Sequence, residues 1–260
     1  MKNEESKHKI GIAFGSGGAK GMALIGALKA LEEENLEFDV VAGTSIGSIV
    51  GALYAKGYTS DDMLNLKDEI GFGDVRAMLA LTLGGFSLKR IIENVVGGAY
   101  FSDLKKPFVA VATDLLSGEE VDISEGELAS ALAASSAIQP VFRAVTRNGR
   151  ELVDGAFVNS VPADVVKKMG AEKIISINLS KGVDFNDHIK RSLDEMYPEN
   201  GVPVIKRSRA CYEFSDVVIE PDLSDFKSSS LGSLEEMYER GYNAAKIKMQ
   251  EIKRVIDCKR

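Results

Sequence analysis

A serine between two glycines stands early in the chain, in the stretch Gly43-Thr44-Ser45-Ile46-Gly47. This is the G-x-S-x-G pattern of a nucleophile elbow, a strained turn between a strand and a helix that lifts the serine hydroxyl above the sheet. Gly43 and Gly47 would relieve crowding in such a turn, and the start of the following helix would favour negative charge beside the serine. A turn in which the serine only caps a helix fits the same residues. Ser45 is thus a candidate nucleophile.

A serine becomes a nucleophile near neutral pH only when a base takes its proton. The candidate base is Asp154, which ends a short apolar run and is followed by Gly155 and Ala156. A carboxylate within hydrogen-bond reach of the serine can serve directly, whereas an Asp-Gly turn without a catalytic role is the simpler interpretation of the segment alone. Asp154, with Gly155 and Ala156 after it, is thus a candidate base, and the residues alone leave both interpretations open.

The chain has two histidines, His8 and His188, and a Ser-His-Asp triad would have to use one of them. His8 lies in the polar N-terminal segment. His188 follows Asp154 in a polar stretch, which gives the chain order Ser, Asp, His that α/β-hydrolases have. A surface histidine is the simpler interpretation of His188. A triad of Ser45, Asp154 and His188 is therefore the alternative to a Ser-Asp dyad.

A glycine-rich segment, Gly15-Ser16-Gly17-Gly18-Ala19-Lys20-Gly21, follows the first apolar run. Such a loop turns several backbone N–H groups toward one point, where each well-placed donor can stabilise the oxyanion of an acyl-transfer intermediate by about 3–4 kcal/mol. We predict that Gly15, Gly17, Gly18 and Gly21 form this oxyanion and substrate-binding loop.

Two kinds of nucleotide-binding loop compete with that interpretation. A Walker loop needs Ser or Thr after Gly-Lys, whereas Lys20 is followed by Gly21. A dinucleotide-binding loop needs a third glycine where Lys20 stands and an acidic residue at the end of the next strand, whereas Asp39 lies near the beginning of that strand. The sequence therefore favours an oxyanion loop.

Both glycine-containing turns lie between an apolar run and a helical pattern. The apolar runs cover residues 9–14 and 38–42, and helical periodicity covers residues 19–31 and 48–56. Two consecutive strand-turn-helix units imply parallel strands joined by crossover helices. The predicted fold class is α/β, a three-layer α/β/α architecture with a mostly parallel central sheet.

Later segments extend this architecture. Residues 108–116 and 120–123 are predicted to form a hairpin, which would make the sheet mixed. Residues 173–179 and 216–219 are further strand candidates. Residues 231–256 carry apolar side chains at helical spacing, so a final helix is expected to pack on the body.

The composition is that of an ordinary globular protein. With 260 residues and no linker-like segment, one domain over residues 1–260 is expected, with the motifs in about 9–180 and a helical region in about 187–260. The formal net charge of −7 disfavours nucleic acid and bulk attraction to anionic membranes, so membrane contact would be local and transient. The polar N-terminus fits no signal peptide or anchor, and Cys211 and Cys258 lack metal-ligand spacing. We expect a cytoplasmic protein with at most peripheral membrane contact.

Taken in order, the glycine-rich loop, the G-x-S-x-G serine and the Asp-Gly-Ala segment resemble the patatin-like phospholipases, above all the short bacterial single-domain members. A block of small residues, 134–142, also resembles the segment that precedes the aspartate in that family. The resemblance covers about residues 9–180. The sequence departs from many relatives at Lys20, Leu24 and Gln139, where Arg, His and Gly are frequent, and these departures bear on substrate preference.

The resemblance implies hydrolysis of lipid acyl esters such as phospholipids, lysophospholipids or acylglycerols. In the implied mechanism Asp154 takes the proton of Ser45, the loop amides hold the oxyanion, and water releases the acyl group without a metal or an organic cofactor. An acyltransferase or thioesterase on the same fold is an alternative, because an alcohol or a thiol can intercept the acyl-enzyme. A noncatalytic lipid-binding regulator is a third, which the intact Ser45 and Asp154 disfavour.

The apolar residues 78–86 would fit a lid, although a buried helix is the simpler interpretation.

Overall fold

A computed structural model describes residues 8–70, 88–138, 142–180, 210–226 and 233–258 of the chain. The strands span Ile10–Phe14 (β1), Val40–Thr44 (β2), Phe108–Asp114 (β3), Glu120–Ile123 (β4), Val145–Arg147 (β5), Arg150–Asp154 (β6), Lys173–Ile177 (β7) and Val217–Ile219 (β8). The α-helices span Met22–Glu33 (α1), Ile46–Lys56 (α2), Ser60–Ile70 (α3), Leu88–Val96 (α4), Leu128–Ser135 (α5), Ala163–Lys168 (α6), Ala210–Phe214 (α7) and Leu234–Asp257 (α8). Short 3-10 turns lie at Gly18–Gly21, Phe101–Asp103 and Gly155–Phe157.

The two strand-turn-helix units expected near the N-terminus are present. β1 and β2 pair in parallel with Phe14 opposite Gly43, so the turns that follow these strands lie side by side at one edge of the sheet. The helical pattern that starts at residue 19 divides into the 3-10 turn Gly18–Gly21 and α1. α2 begins at Ile46, directly after the serine and two residues earlier than the periodicity indicates.

The sheet is mixed, with mostly parallel strands, as the sequence predicts. Five strands run in parallel in the order β3-β2-β1-β7-β8. β4 pairs antiparallel with β3 and forms the expected hairpin, and β6 also pairs antiparallel with β3. β5 is antiparallel to β6.

β2 and β6 use the same edge of β3, and they approach it from opposite directions. β4 pairs with residues 110–113 and therefore fills one edge of that stretch of β3. β2 must use the other edge, where it ends with Thr44 opposite Val111. β6 uses that same edge, where it ends with Asp154 opposite Ala112. The C-terminal ends of β2 and β6 thus meet head to head at neighbouring positions of β3.

Helices cover both faces of the sheet. Alternate residues of the central strands belong to two different apolar clusters, because successive side chains of a strand point to opposite faces. Phe14 and Val41 share one cluster with residues of α1, α2, α5 and α8. Ala13 and Ala42 share the other with residues of α6. The architecture is therefore the predicted three-layer α/β/α arrangement.

The final helix packs along α1 through a glycine in each helix. A Cβ atom at Gly26 would lie 2.0 Å from the carbonyl oxygen of Tyr238, and one at Gly241 would lie 2.0 Å from that of Ala23. Only glycine lets two backbones approach so closely. This contact fits the expectation that the last helix packs on the body. Among the described residues, no helix has both the length and the apolar character needed to cross a bilayer.

Candidate active site

Ser45 occupies the sharp turn between β2 and α2. Its φ of 55° and ψ of −127° place a non-glycine residue in the positive-φ region. Such a conformation costs on the order of 1–3 kcal/mol and persists only where the surrounding structure holds it. The strand end, the strained serine and the helix start together have the geometry of a nucleophile elbow.

The glycines on either side of Ser45 are required by close backbone contacts. A Cβ atom at Gly43 would lie 2.3 Å from the carbonyl oxygen of Gly47. A Cβ atom at Gly47 would lie 2.3 Å from the carbonyl oxygen of Phe14 and 2.5 Å from that of Gly15. No side chain fits at these distances, so both glycines let the elbow pack against itself and against the end of β1.

Asp154 meets Ser45 at the junction of β2 and β6. The Ser45 hydroxyl donates a hydrogen bond to Asp154 Oδ2 at 2.7 Å, although 109 residues separate the two in sequence. The other carboxylate oxygen, Oδ1, accepts the N–H of Ala156 at 2.9 Å. Gly155 permits this turn, because a Cβ atom there would lie 2.2 Å from the carbonyl oxygen of Val111. The structure thus brings Ser45 together with Asp154, Gly155 and Ala156.

The Asp154 carboxyl is almost completely buried, with 1% of the residue exposed. Burial raises its pKa from 3.8 to about 6, and the hydrogen bonds from Ala156 and Ser45 oppose this rise because they stabilise the charged form. A carboxylate with a pKa near 6 is ionised at neutral pH and is a stronger base than an exposed aspartate. This is the property that general-base catalysis requires.

The glycine-rich loop packs on the elbow, but its first amides are already bonded. A Cβ atom at Gly21 would lie 2.3 Å from Ile46 Cγ1, so this glycine allows the loop to contact the residue after Ser45. The N–H of Gly15 donates to the carbonyl oxygen of Ile177 at 3.0 Å. The Gly15 amide is therefore not available as an oxyanion donor, and it ties the loop to β7 instead.

Of the glycines predicted for this loop, Gly17 and Gly18 carry amides that can serve a ligand. Within the described part of the chain, neither N–H has a hydrogen-bond acceptor. Gly18 has a φ of 58°, which glycine adopts without strain. Of the four glycines predicted for the oxyanion loop, these two retain unpaired donors, Gly21 serves close packing and Gly15 anchors the loop.

Of the two histidines, His8 is the one within the described residues, and it does not lie at this site. His8 precedes β1 and so lies at the opposite edge of the sheet, where its ring contacts Glu172 Oε2 at 3.1 Å and the carbonyl oxygen of Cys258 at 3.2 Å. His188 lies outside the described residues, as do the apolar residues 78–86 and Gln139.

Two polar contacts of the elbow involve Ser135 and Asn159, neither of which is a predicted site residue. Ser135 Oγ accepts the N–H of Ser45 at 2.9 Å and donates to the carbonyl oxygen of Val111 at 2.6 Å. The Thr44 hydroxyl donates to the carbonyl oxygen of Asn159 at 2.7 Å. Ser135 belongs to the block of small residues 134–142, and a serine within an alanine-rich helix is the signal that could have singled it out.

An acidic cluster lies close to Asn159. Lys168 Nζ is 3.5–3.8 Å from carboxylate oxygens of Glu120, Asp122 and Asp164, and the Asn159 side-chain amide donates to Glu120 and Asp164. Burial raises the pKa of both Glu120 and Asp122. Lys168 supplies the positive charge of this cluster. Across the described residues, no group of His, Cys, Asp and Glu side chains is arranged to hold a metal ion.

Comparison with known families and sequences gives consistent matches. Residues 12–167 match the model of the family described as Patatin-like phospholipase. An uncharacterised NTE family protein of Mycobacterium tuberculosis (strain ATCC 25618 / H37Rv) is 30% identical over 181 residues, which cover 67% of this chain and 50% of that protein. Patatin-like phospholipase domain-containing protein 6 of Homo sapiens is 26% identical over 275 residues, covering 91% of this chain and 20% of that protein. The chain therefore spans about half of the mycobacterial relative and a smaller part of the human one.

Solved structures share the fold at low sequence identity. VipD from Legionella pneumophila matches 98% of this chain and 70% of its own with a TM-score of 0.55 and 13% identity. A chain of the ExoU-SpcU complex from Pseudomonas aeruginosa matches 95% of this chain and 52% of its own with a TM-score of 0.54 and 16% identity. Human GIVD cytosolic phospholipase A2 matches 98% and 61% with a TM-score of 0.53 and 11% identity. From the family match and the mycobacterial relative it follows that the chain belongs to the patatin-like phospholipase family.

Proposed function

We propose that the chain hydrolyses lipid acyl esters with Ser45 as nucleophile and Asp154 as the base of a Ser-Asp dyad. The observation that carries the proposal is the hydrogen bond of 2.7 Å from the Ser45 hydroxyl to Asp154 Oδ2. In a Ser-His-Asp triad an imidazole stands between the serine and the carboxylate, and a direct contact leaves no place for it. Membership of the patatin-like phospholipase family supports a lipid acyl ester as the substrate.

In the first step the Ser45 Oγ attacks the ester carbonyl carbon while its proton passes to Asp154 Oδ2. The carbonyl oxygen becomes an oxyanion, for which the unpaired amides of Gly17 and Gly18 are the proposed donors. When the tetrahedral intermediate collapses, the bond to the alcohol oxygen breaks, and the proton on Asp154 passes to the departing alkoxide. The alcohol leaves and the acyl group stays on Ser45.

In the second step a water molecule attacks the acyl carbonyl carbon and gives a proton to Asp154. Collapse of this intermediate breaks the bond to Ser45 Oγ, which takes the proton back, and the fatty acid leaves. The cycle consumes one water and returns both side chains to their starting states. A pKa near 6 suits the carboxyl to both halves of the cycle, because it must accept a proton and then release it near neutral pH.

Lipid esters are present at lipid surfaces, so the protein must bind such a surface to reach its substrate. We propose a cytoplasmic protein that binds this surface transiently. With a formal net charge of −7, bulk electrostatics would not hold the protein on an anionic membrane. Contact would therefore be local, at the edge of the sheet where Ser45 lies.

The test is labelling with a fluorophosphonate probe and peptide mapping, paired with turnover of a p-nitrophenyl ester. We expect the wild-type protein to be labelled at Ser45, Ser45→Ala to lose labelling and turnover, Asp154→Asn to lose most of both, and His188→Ala to keep both. Turnover that survives Ser45→Ala would overturn the nucleophile. Dependence on His188 would replace the dyad by a triad.

A further inference from the structure

The Ser135 hydroxyl bridges the turn that carries Ser45 and the neighbouring strand β3. It is the last residue of α5 and is fully buried. Its Oγ accepts the backbone N–H of Ser45 at 2.9 Å and donates to the carbonyl oxygen of Val111 at 2.6 Å. The hydroxyl therefore donates one hydrogen bond to the backbone of β3 and accepts one from the backbone of the nucleophile turn.

The bridge lies where the pairing of β2 with β3 ends. Thr44 is the last residue of β2 in register, and it lies opposite Val111. At the next residue the chain leaves the strand, because Ser45 adopts a φ of 55° and α2 begins. The Ser45 amide and the Val111 carbonyl are joined through the Ser135 oxygen at this point. A fully buried amide without a partner costs about 1–3 kcal/mol, and a partly buried one costs less. The bridge gives the partly buried Ser45 amide an acceptor and so stabilises the strained turn.

We infer that Ser135 is a positioning residue that holds the Ser45 backbone in its reactive conformation. The inference rests on the proposed function, in which the Ser45 oxygen must stay in line with Asp154 Oδ2. Ser135 binds the backbone amide of Ser45 and Asp154 binds its side-chain oxygen, so the two contacts fix Ser45 from two sides. Loss of the backbone contact leaves the dyad groups present and lets their alignment vary.

The neighbouring serine is a matched control. Ser136 is also buried, and its Oγ has no hydrogen-bond partner among the described residues. Removal of that hydroxyl breaks no described hydrogen bond, whereas removal of the Ser135 hydroxyl breaks two. Ser135→Cys keeps a side chain of similar shape. It weakens both hydrogen bonds, because a thiol is a weaker donor and a weaker acceptor than a hydroxyl.

The experiment measures kcat, KM and the rate of fluorophosphonate labelling for Ser135→Ala, Ser135→Cys and Ser136→Ala, together with hydrogen exchange of the Ser45 amide. We expect kcat and the labelling rate to fall roughly 10- to 100-fold in Ser135→Ala, less in Ser135→Cys, and not in Ser136→Ala, with KM unchanged. We expect the Ser45 amide to exchange at least about tenfold faster in Ser135→Ala, since its acceptor is gone.

A wild-type kcat in folded Ser135→Ala, or an equal loss in Ser136→Ala, would overturn the inference. If Ser135→Ala does not fold, Ser135→Cys decides, and unchanged kcat and amide exchange in that variant would count against a positioning role. If the wild-type protein neither turns over esters nor is labelled, the proposed function fails. Amide exchange still tests the backbone contact in that case, so the two failures are distinguishable.

Discussion

Replacing Asp154 by Asn should make the protein more stable at neutral pH while it removes the activity. Asn keeps the shape of the side chain, its Oδ1 can still accept the Ala156 N–H, and its amide can donate to Ser45 Oγ. The change therefore removes a buried charge and keeps the hydrogen bonds. The pKa rise from 3.8 to about 6 corresponds to about 3 kcal/mol at 1.36 kcal/mol per pKa unit. Ionisation of the buried carboxyl therefore lowers the free energy of unfolding by this amount.

The sign of the pH dependence follows from proton binding. Between pH 3.8 and about 6, folded wild-type protein holds a proton on Asp154 that the unfolded chain has released. The stability that the protonated Asp154 gives to the folded protein is thus fully present below pH 3.8 and is lost as the pH rises through about 6. The free energy of unfolding of Asp154→Asn should equal that of the wild type at low pH and exceed it by about 3 kcal/mol at pH 8, which corresponds to roughly 6–12 °C in Tm.

The assay is urea unfolding of both proteins at several values between pH 4 and pH 8, with ester turnover measured on the same samples. Ser45→Ala is the control, because it abolishes turnover and keeps the buried carboxyl. Its stability should still fall with pH as that of the wild type does. Parallel curves for wild type and Asp154→Asn across the whole range would refute the reasoning, since they would mean that burial does not raise the carboxyl pKa.

Other perturbations test the elbow, the base and the last helix. The wild-type kcat/KM for a p-nitrophenyl ester should rise tenfold per pH unit below about pH 6 and level off above it, because only the ionised base accepts the serine proton; a flat profile from pH 4.5 to pH 8 would contradict this. Gly47→Ala should destabilise the protein by more than about 3 kcal/mol in urea unfolding and abolish probe labelling, because its Cβ would lie 2.3 Å from the Phe14 carbonyl oxygen; wild-type labelling would show that the elbow can shift. Gly241→Ala should lower the free energy of unfolding by several kcal/mol and expose α8 to proteolysis, because its Cβ would lie 2.0 Å from the Ala23 carbonyl oxygen. In Gly98→Ala the Cβ meets no atom within 4 Å, so that variant should lose only about 1 kcal/mol, from its positive φ. Equal losses in the two variants would refute the close helix contact.

The sequence predicts the local elements of the site well, because they depend on short-range patterns. The apolar runs before Gly15 and Gly43 are strands, and the turns after them lead into helices. Parallel pairing of β1 and β2 follows from the crossover helix between them. Boundaries differ by one to three residues where the end of a strand or the start of a helix depends on tertiary contacts. α2, for instance, begins at Ile46 directly behind the strained Ser45.

The contact between Ser45 and Asp154 depends on pairing that no local pattern reveals. It requires β2 and β6 to end at neighbouring positions of β3, a register set by packing across 109 residues. The role of the Ser135 hydroxyl depends on the same register. The use of Gly15 as an anchor depends on β7, whose Ile177 carbonyl takes the amide that an isolated loop would leave unpaired.

The head-to-head arrangement of β2 and β6 makes the distance between Ser45 and Asp154 independent of the lengths of the connecting segments. Pairing with β3 sets the spacing of the ends of these two strands, whatever the length of the segments that join the three strands. Lengthening a loop costs little, about 0.6 kcal/mol for each doubling. The exposed turn at Asn148-Gly149, at the far end of the β5–β6 hairpin, is such a place. Insertions there can lengthen the hairpin while Ser45 and Asp154 keep their spacing on β3.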